Sequence, residues 1–490
     1  MHRTLHETGL SEEEIFNSIH NFRKDDHDWQ SGRTFGFVYY PGDEAARILR
    51  KSYDSGFFEN GLNPAVFRSL RQMECEVVSM SASLLHGPPE SVGNLTSGGT
   101  ESILCAMKAA KKHHGGKCML NTVLPSTAHP AFNKAADILD VEVRTIRNAG
   151  DTYLPDLDHA ASLIDENTIM LAGSAPCFPF GQIDPLGEMN QLAREKNVWL
   201  HVDACMGGFI LPFLEQTGEK IPVFDFRLPG VRSISADIHK YGYGAKGTSV
   251  VLFRNSMYRK KMYFVYTEWP GGLYASPTIT GTRPGGAIVS AWAIMNYLGM
   301  SGYREMASKT LQASREIMSA INSTGELRIV GNPEATVFAF VSSGSLDVYE
   351  LGDKLHERGW YLDKQLSPPS LHMTISAGNT ACVGDFIHDL RESVKELQKR
   401  HVRTVVSHLR NSLLKRAVAI LPGKLVKKIG SKAIKKIPDH TSEKENSAPM
   451  YGMMGKLTGT DALQDIILNF LDEVYRPAGA SFSQDQGKPV

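Results

Sequence analysis

The run Ser235-Ala-Asp-Ile-His-Lys-Tyr-Gly-Tyr-Gly-Ala-Lys-Gly247 decides how the chain is read, and its centre is Lys240. The stretch from Val231 to Ile238 is apolar apart from its serines and predicts a strand, and the glycines that follow predict a loop. Lys240 therefore stands where a strand ends, with His239 before it. A lysine amine is a nucleophile only when neutral, and a desolvated pocket is expected to lower its pKa far enough for a Schiff base with an aldehyde. Most lysines are solvated surface charges, so this reading needs partners elsewhere in the chain.

The first partner lies upstream. His201-Val-Asp-Ala-Cys-Met-Gly-Gly208 directly follows the apolar Val198-Trp-Leu200, a pattern that predicts a buried parallel strand ending in a carboxylate. Open α/β sheets bind ligands at such strand ends, although an Asp there also serves as a helix cap. A strand-end Asp203 and a later Lys240 are together what pyridoxal 5'-phosphate requires: a carboxylate for its ring nitrogen and an amine for its aldehyde. The second partner is Asn94-Leu-Thr-Ser-Gly-Gly-Thr-Glu-Ser102, which precedes the helical run from Ile103 to Lys112. Gly98 and Gly99 would expose backbone N–H groups and the positive end of the helix dipole to a phosphate, flanked by the hydroxyls of Ser97 and Thr100. Alone this stretch reads as an ordinary glycine turn with a helix cap. With Asp203 and Lys240 downstream, the phosphate site is the better reading.

These stretches, with Ala128-His-Pro-Ala-Phe-Asn-Lys-Ala135, resemble the group II pyridoxal-phosphate-dependent decarboxylases. Gly271-Gly-Leu-Tyr-Ala-Ser-Pro-Thr-Ile-Thr-Gly-Thr-Arg-Pro-Gly-Gly286, Phe224-Asp-Phe-Arg227, Gly331-Asn-Pro333 and Tyr451-Gly-Met453 are similar to the sphingosine-1-phosphate lyase branch of that family. The resemblance runs from about Arg33 to about Tyr475. It implies an α/β, fold-type I PLP-dependent transferase architecture: an N-terminal arm and helical segment (1–89), a large PLP-binding domain with a mainly parallel sheet (90–301), and a smaller C-terminal α/β domain (302–476). It also implies roles. Lys240, Asp203, His129 and His239 would be catalytic. Ser97, Gly98, Gly99, Thr100, His129, Asp203, Asp237, His239 and Lys240 would hold the cofactor, with Thr282 supplied across a homodimer. Tyr39, Asn63, Lys246 and Tyr451 would face a substrate phosphate.

The implied reaction is cleavage of the Cα–Cβ bond of a phosphorylated long-chain base to a fatty aldehyde and phosphoethanolamine. Three positions depart from the family. Asn63 replaces a histidine, Cys177 a polar residue and Phe180 a histidine, so the pocket is expected to be more apolar on the wall formed by the last two. These departures keep amino-acid decarboxylation, or aldol cleavage of an unphosphorylated amine, as the alternative.

Composition bounds the rest. A chain of 490 residues predicts more than one lobe. Lys plus Arg and Asp plus Glu are balanced at 53 each, which argues against a nucleic-acid-binding field. The six scattered cysteines read as reduced thiols in a cytoplasmic protein. No metal motif, signal pattern or membrane-spanning apolar run is evident, and the anchor that precedes the catalytic region in eukaryotic relatives is not found.

Ser11 followed by acids predicts a short helix, Gly32 to Tyr40 an arm, and Val66, Leu70, Met73, Val77, Met80 and Leu84 the core stripe of a helix over 64–85. Strands are predicted at Thr122–Leu124, Val141–Ile146, Thr168–Ala172, Thr336–Val341 and Leu371–Ile375. The insert around 401–440 falls in a stretch with no acid between Glu396 and Asp439 and carries eight Lys or Arg from Lys415 to Lys436, interleaved with aliphatics. It reads as a peripheral membrane contact or as a solvated cover. The Ser- and Gln-rich tail 477–490 is expected to be disordered.

Overall fold

In the computed structural model the described residues are 5–116, 119–403, 448–458 and 460–475. The basic insert, with its cationic stretch 415–436, and the tail 477–490 lie outside them. Two sheets organise the chain. Strands β1 (Val92–Thr96), β2 (Asn121–Pro125), β3 (Glu142–Ile146), β4 (Thr168–Ser174), β5 (Trp199–Asp203), β6 (Val231–Ala236) and β7 (Ser249–Phe253) form one sheet in the order β1-β7-β6-β5-β4-β2-β3. Neighbours from β3 through β6 run parallel, and β7 is antiparallel to both β6 and β1. Every residue of β2, β4 and β5 is buried, as parallel strands covered by helices on both faces must be, and so is every residue of the antiparallel β7. Helices between the strands supply the crossovers, among them Gly99–His114, Ala131–Leu139 and Leu186–Glu195.

After β8 (Phe264–Tyr266) and β9 (Tyr274–Ser276), which pair as a hairpin, helix Gly285–Ser323 leads into the second sheet, its helical geometry interrupted at Gly299. That helix packs on Asp43–Ser55. The Gly285-Gly286 pair explains how closely: a Cβ on Gly286 would meet the Tyr53 carbonyl at 2.6 Å, and one on Gly285 the Gly56 carbonyl at 2.7 Å. The second sheet is antiparallel, in the order β10 (Leu327–Ile329), β11 (Val337–Ser342), β13 (Pro369–Thr374), β12 (Asp363–Leu366). Among the described residues no helix is long and apolar enough to cross a membrane.

The Ser11 expectation holds in detail: Glu14 N–H donates to the Ser11 hydroxyl, and the Ser11 N–H to the Glu14 carboxylate, at the start of helix Glu12–Phe22. One expectation needs correction. Val66 is exposed and precedes helix Arg68–Leu84, whose buried face instead includes Glu74, held by Arg283 through two hydrogen bonds of 2.7 and 2.8 Å. Gly32–Tyr40 is irregular rather than helical, as expected of an arm, and within it Phe35 is fully buried, stacked on Trp360 and edge-on to Phe386 in the smaller lobe.

Candidate active site

The carboxyl ends of β5 and β6 and the start of helix Gly99–His114 converge on one cleft. Asp203 is the last residue of β5, and its Oδ1 accepts from the Cys205 N–H at 3.0 Å and the Ser235 hydroxyl at 3.2 Å. Lys240 follows β6. Its Nζ lies 3.0 Å from Asp237 Oδ2, and Asp237 Oδ1 accepts from Ser249 Oγ at 2.6 Å. Burial works to lower the Lys240 pKa, but Asp237, Cys205 and Asp203 outweigh it and the pKa is raised. The expectation of a lowered pKa is thus corrected: the lysine is paired as an ammonium, and must hand over a proton before its amine can react.

His239 has its Nδ1 2.8 Å from the Thr248 carbonyl, to which it donates, so Nε2 carries the lone pair. Burial lowers its pKa, against the opposing field of Asp237. His129, on the loop after β2, has Nδ1 accepting from the Ala131 N–H at 3.1 Å, which assigns the proton to Nε2. Its ring is open to solvent over the cleft, yet enough protein surrounds it to lower its pKa by desolvation, with Asp203, Lys240 and Asp237 all close enough to act on it.

The residues present fit a pyridoxal phosphate. A Cβ on Gly99 would meet Cys205 Sγ at 2.6 Å and Asp237 Oδ1 at 3.0 Å, whereas one on Gly98 would meet nothing within 4 Å. The backbone thus lies tight against the Asp237 side and open on the other, at the N-terminus of a 16-residue helix. Gly98, Gly99 and Thr100 are positioned for a phosphate. The Ser97 amide is not, because it donates to Glu101 Oε2 at 2.7 Å, and Ser97 has its hydroxyl left for the task.

Glu101 was missed by sequence reading. Its Oε1 accepts from the Ile279 and Thr280 N–H groups at 3.0 and 3.2 Å, tying the phosphate turn to the loop that carries Thr282. The signal was a buried acid three places into a helix that otherwise suits anions.

The residues expected around a substrate phosphate are more scattered. Tyr39 packs edge-on to Tyr241, and the Lys246 ammonium lies 5.3 Å from its ring and donates to the Phe37 carbonyl at 2.6 Å. Desolvation beside Lys240 lowers the Lys246 pKa to about 8, even though the side chain still reaches solvent. Tyr451 sits on helix Ala448–Leu457 near Tyr349 and Lys364, and Asp363 acts on both it and Tyr39. Asn63 is exposed, with its Oδ1 accepting from the Ala65 and Val66 N–H groups. Thr282, expected instead at the cofactor phosphate, is exposed and accepts from Asn60 Nδ2 at 3.4 Å.

Cys177 and Phe180 do not form a pocket wall, contrary to expectation. They are buried with Val330, Ala339 and Val341 in a small core joining the two lobes, and Phe178 is the aromatic beside His129. The loop after Lys240 is also fastened to the smaller lobe. Tyr241 donates to the Ile375 carbonyl at 2.8 Å and accepts from Thr336 at 2.6 Å, and the Tyr243 hydroxyl accepts from the Ala377 N–H.

A sheet of this order, with a lysine, a carboxylate and a glycine turn at its carboxyl edge, defines a fold-type I pyridoxal-phosphate enzyme. Residues 44–342 match the pyridoxal-dependent decarboxylase conserved domain. The chain is 36% identical to sphingosine-1-phosphate lyase of Dictyostelium discoideum over 97% of its own length and 83% of that protein's. It is 38% identical to sphingosine-1-phosphate lyase 1 of Rattus norvegicus over 81% of this chain and 70% of that one. The solved sphingosine-1-phosphate lyase of Burkholderia pseudomallei superposes with a TM-score of 0.78 at 37% identity, covering 84% of this chain and 96% of that one. The chain belongs to the pyridoxal-dependent decarboxylase family and, within it, to the sphingosine-1-phosphate lyases.

Proposed function

We infer that the protein is a pyridoxal-phosphate-dependent lyase that cleaves the Cα–Cβ bond of a phosphorylated long-chain base, sphingosine 1-phosphate or a close analogue, to a fatty aldehyde and phosphoethanolamine. The observation that carries this reading is the convergence of Lys240, Asp203, His129 and the Gly98-Gly99 turn in one cleft, in a chain 36% identical to a lyase of that name over 97% of its length.

Lys240 would hold the cofactor's aldehyde, Asp203 its ring nitrogen, His129 a face of its ring, and the amides of Gly98, Gly99 and Thr100 its phosphate. When bound, the cofactor supplies an electron sink that lets a bond at the substrate's amine-bearing carbon break. The protein supplies the protons and the orientation. Lys240, once its amine is released, and His239 through Nε2 are the bases available to take the proton of a substrate hydroxyl. Lys246, held over Tyr39, is the cation for the substrate phosphate.

The cleft is read as shared between two subunits, with Thr282 reaching the neighbour's cofactor phosphate, whereas Tyr39 lies against Tyr241 and Lys246 of its own chain. Exposed apolar side chains support a homodimer: Phe264, Val265, Tyr266, Trp269 and Leu273 on and around the β8–β9 hairpin, with Phe57 and Phe58. Beside them lies a cavity of about 690 Å³ lined by Arg71, Glu74, Cys75, Phe264 and Arg283, away from Lys240. The protein is read as cytoplasmic with peripheral membrane contact through 415–436; charge reversal there should abolish co-sedimentation with anionic liposomes.

The deciding experiment is product analysis by mass spectrometry after the holoenzyme is incubated with sphingosine 1-phosphate or, separately, with a panel of amino acids. Fatty aldehyde plus phosphoethanolamine, lost in Lys240→Ala, supports the reading. Carbon dioxide and an amine from an amino acid, with no aldehyde, would replace it with decarboxylation.

A further inference from the structure

We propose that His201 is a positioning residue for Asp203, acting through the Ser235 hydroxyl to keep one carboxylate oxygen occupied and the other available to the cofactor's ring nitrogen. The proposal rests on the reading of Asp203 as the cofactor's carboxylate.

It begins with the alternation of β5. Trp199, His201 and Asp203 share one face of the strand, and on the neighbouring parallel strand β6 Ser233 is paired with His201 and Ser235 with Asp203. The five side chains form one continuous line of hydrogen bonds. Trp199 Nε1 donates to Ser233 Oγ at 2.8 Å; Ser233 Oγ and His201 Nδ1 are 2.8 Å apart; His201 Nε2 and Ser235 Oγ are 3.2 Å apart; and Ser235 donates to Asp203 Oδ1 at 3.2 Å. His201, Ser233 and Ser235 are completely buried.

The two fixed ends determine every proton between them. An indole N–H only donates, so Ser233 accepts from Trp199 and has its own proton for His201 Nδ1. Ser235 gives its proton to Asp203, so its oxygen receives the one on His201 Nε2. The imidazole is thereby the neutral Nε2–H tautomer, and no donor in the line lacks an acceptor. Burial independently keeps the ring neutral, lowering its pKa to about 4. Phe132 packs edge-on against it at 5.8 Å, which restricts its rotation.

At Asp203 the result is asymmetric. Oδ1 receives the Ser235 hydroxyl and the Cys205 N–H, and Oδ2 is engaged by neither. Without Ser235 a single backbone N–H would orient the carboxylate. Without His201 the Ser235 oxygen would lose the N–H it accepts, and its hydroxyl would no longer be held from both sides on the line to Asp203.

The test is equilibrium binding of pyridoxal 5'-phosphate to apoprotein, followed by the absorbance spectrum of the bound cofactor, in wild type, Ser235→Ala, His201→Phe, the double variant and His201→Gln. The glutamine retains an N–H donor and an acceptor at the imidazole's place. Each disabling single variant should weaken cofactor binding about tenfold, the effect of one hydrogen bond to a charged group. Each should also move the absorbance band, with the melting temperature of the apoprotein little changed. The double variant should bind no worse than either single, and His201→Gln should lie close to wild type. Unchanged affinity and spectrum in Ser235→Ala, or additive losses in the double variant, would overturn the proposal. If the disabling single variants fail to fold, His201→Gln decides: wild-type affinity and spectrum support the relay, and loss of either sinks it. Failure of wild type itself to bind the cofactor would overturn the reading of Asp203 beneath it.

Discussion

The cofactor end and the substrate-phosphate end of this cleft are built differently. Lys240, Asp203, Asp237, His239 and His129 come from strand ends and the loops directly after them, and each has a partner that fixes its atoms. At the other end, Lys246 reaches from a glycine loop to a backbone carbonyl, and Asn63 uses its side chain to close its own turn. The side chains of the first end are fixed by partners within one chain. The second is held more loosely: the Lys246 and Asn63 side chains are exposed and bond only to backbone groups.

Breaking the first end should do the most damage. Lys240→Ala should lower activity by roughly a thousandfold or more, because covalent attachment and proton transfer fail together. Borohydride treatment followed by mass spectrometry should fix cofactor to wild type and not to the variant. Asp203→Asn should cost roughly a hundredfold in kcat, since a neutral amide replaces the charge facing the ring nitrogen; steady-state kinetics with saturating cofactor measure it.

The second end should respond in KM. Lys246→Met should raise KM for a phosphorylated substrate roughly tenfold, the worth of one charge-assisted hydrogen bond, with kcat little changed. The sign of the pH effect follows from its pKa of about 8. The ammonium that attracts the phosphate is present below that pH and is lost above it, so KM in wild type should climb as pH rises through about 8, and the climb should vanish in Lys246→Met. The smallest effect is a gain. Asn63→His should lower KM for the phosphorylated substrate by about two- to threefold at pH 6, where a histidine can carry charge. The gain is partly offset by losing the turn bonds to Ala65 and Val66.

The same contrast governs what could be read from the sequence. Asp203 and Lys240 were legible because a buried strand permits a charge only at its end, and Gly98-Gly99 because a tight helix start leaves few alternatives. The Trp199, His201 and Ser233, Ser235 alternation was equally visible, but its meaning depends on which strands are neighbours, and β5 and β6 are more than 25 residues apart. Cys177 and Phe180 misled because an apolar residue after a strand end suits a pocket wall and an inter-lobe core alike. The raised pKa of Lys240 was hidden for a related reason: burial can be inferred from sequence, but the 3.0 Å ion pair that outweighs it requires the loop's fold.

Tyr241 and Tyr243 give the lysine's position a mechanical meaning. The residues immediately after Lys240 are moored to Ile375, Thr336 and Ala377 of the smaller lobe, while Asp237 before it belongs to the end of the large sheet. The amine thus rides on a strap stretched between two bodies. Its reach is set by their spacing, and a substitution deep in the smaller lobe that shifts β13 would be felt as a change in the lysine's aim, with every residue of the cleft intact.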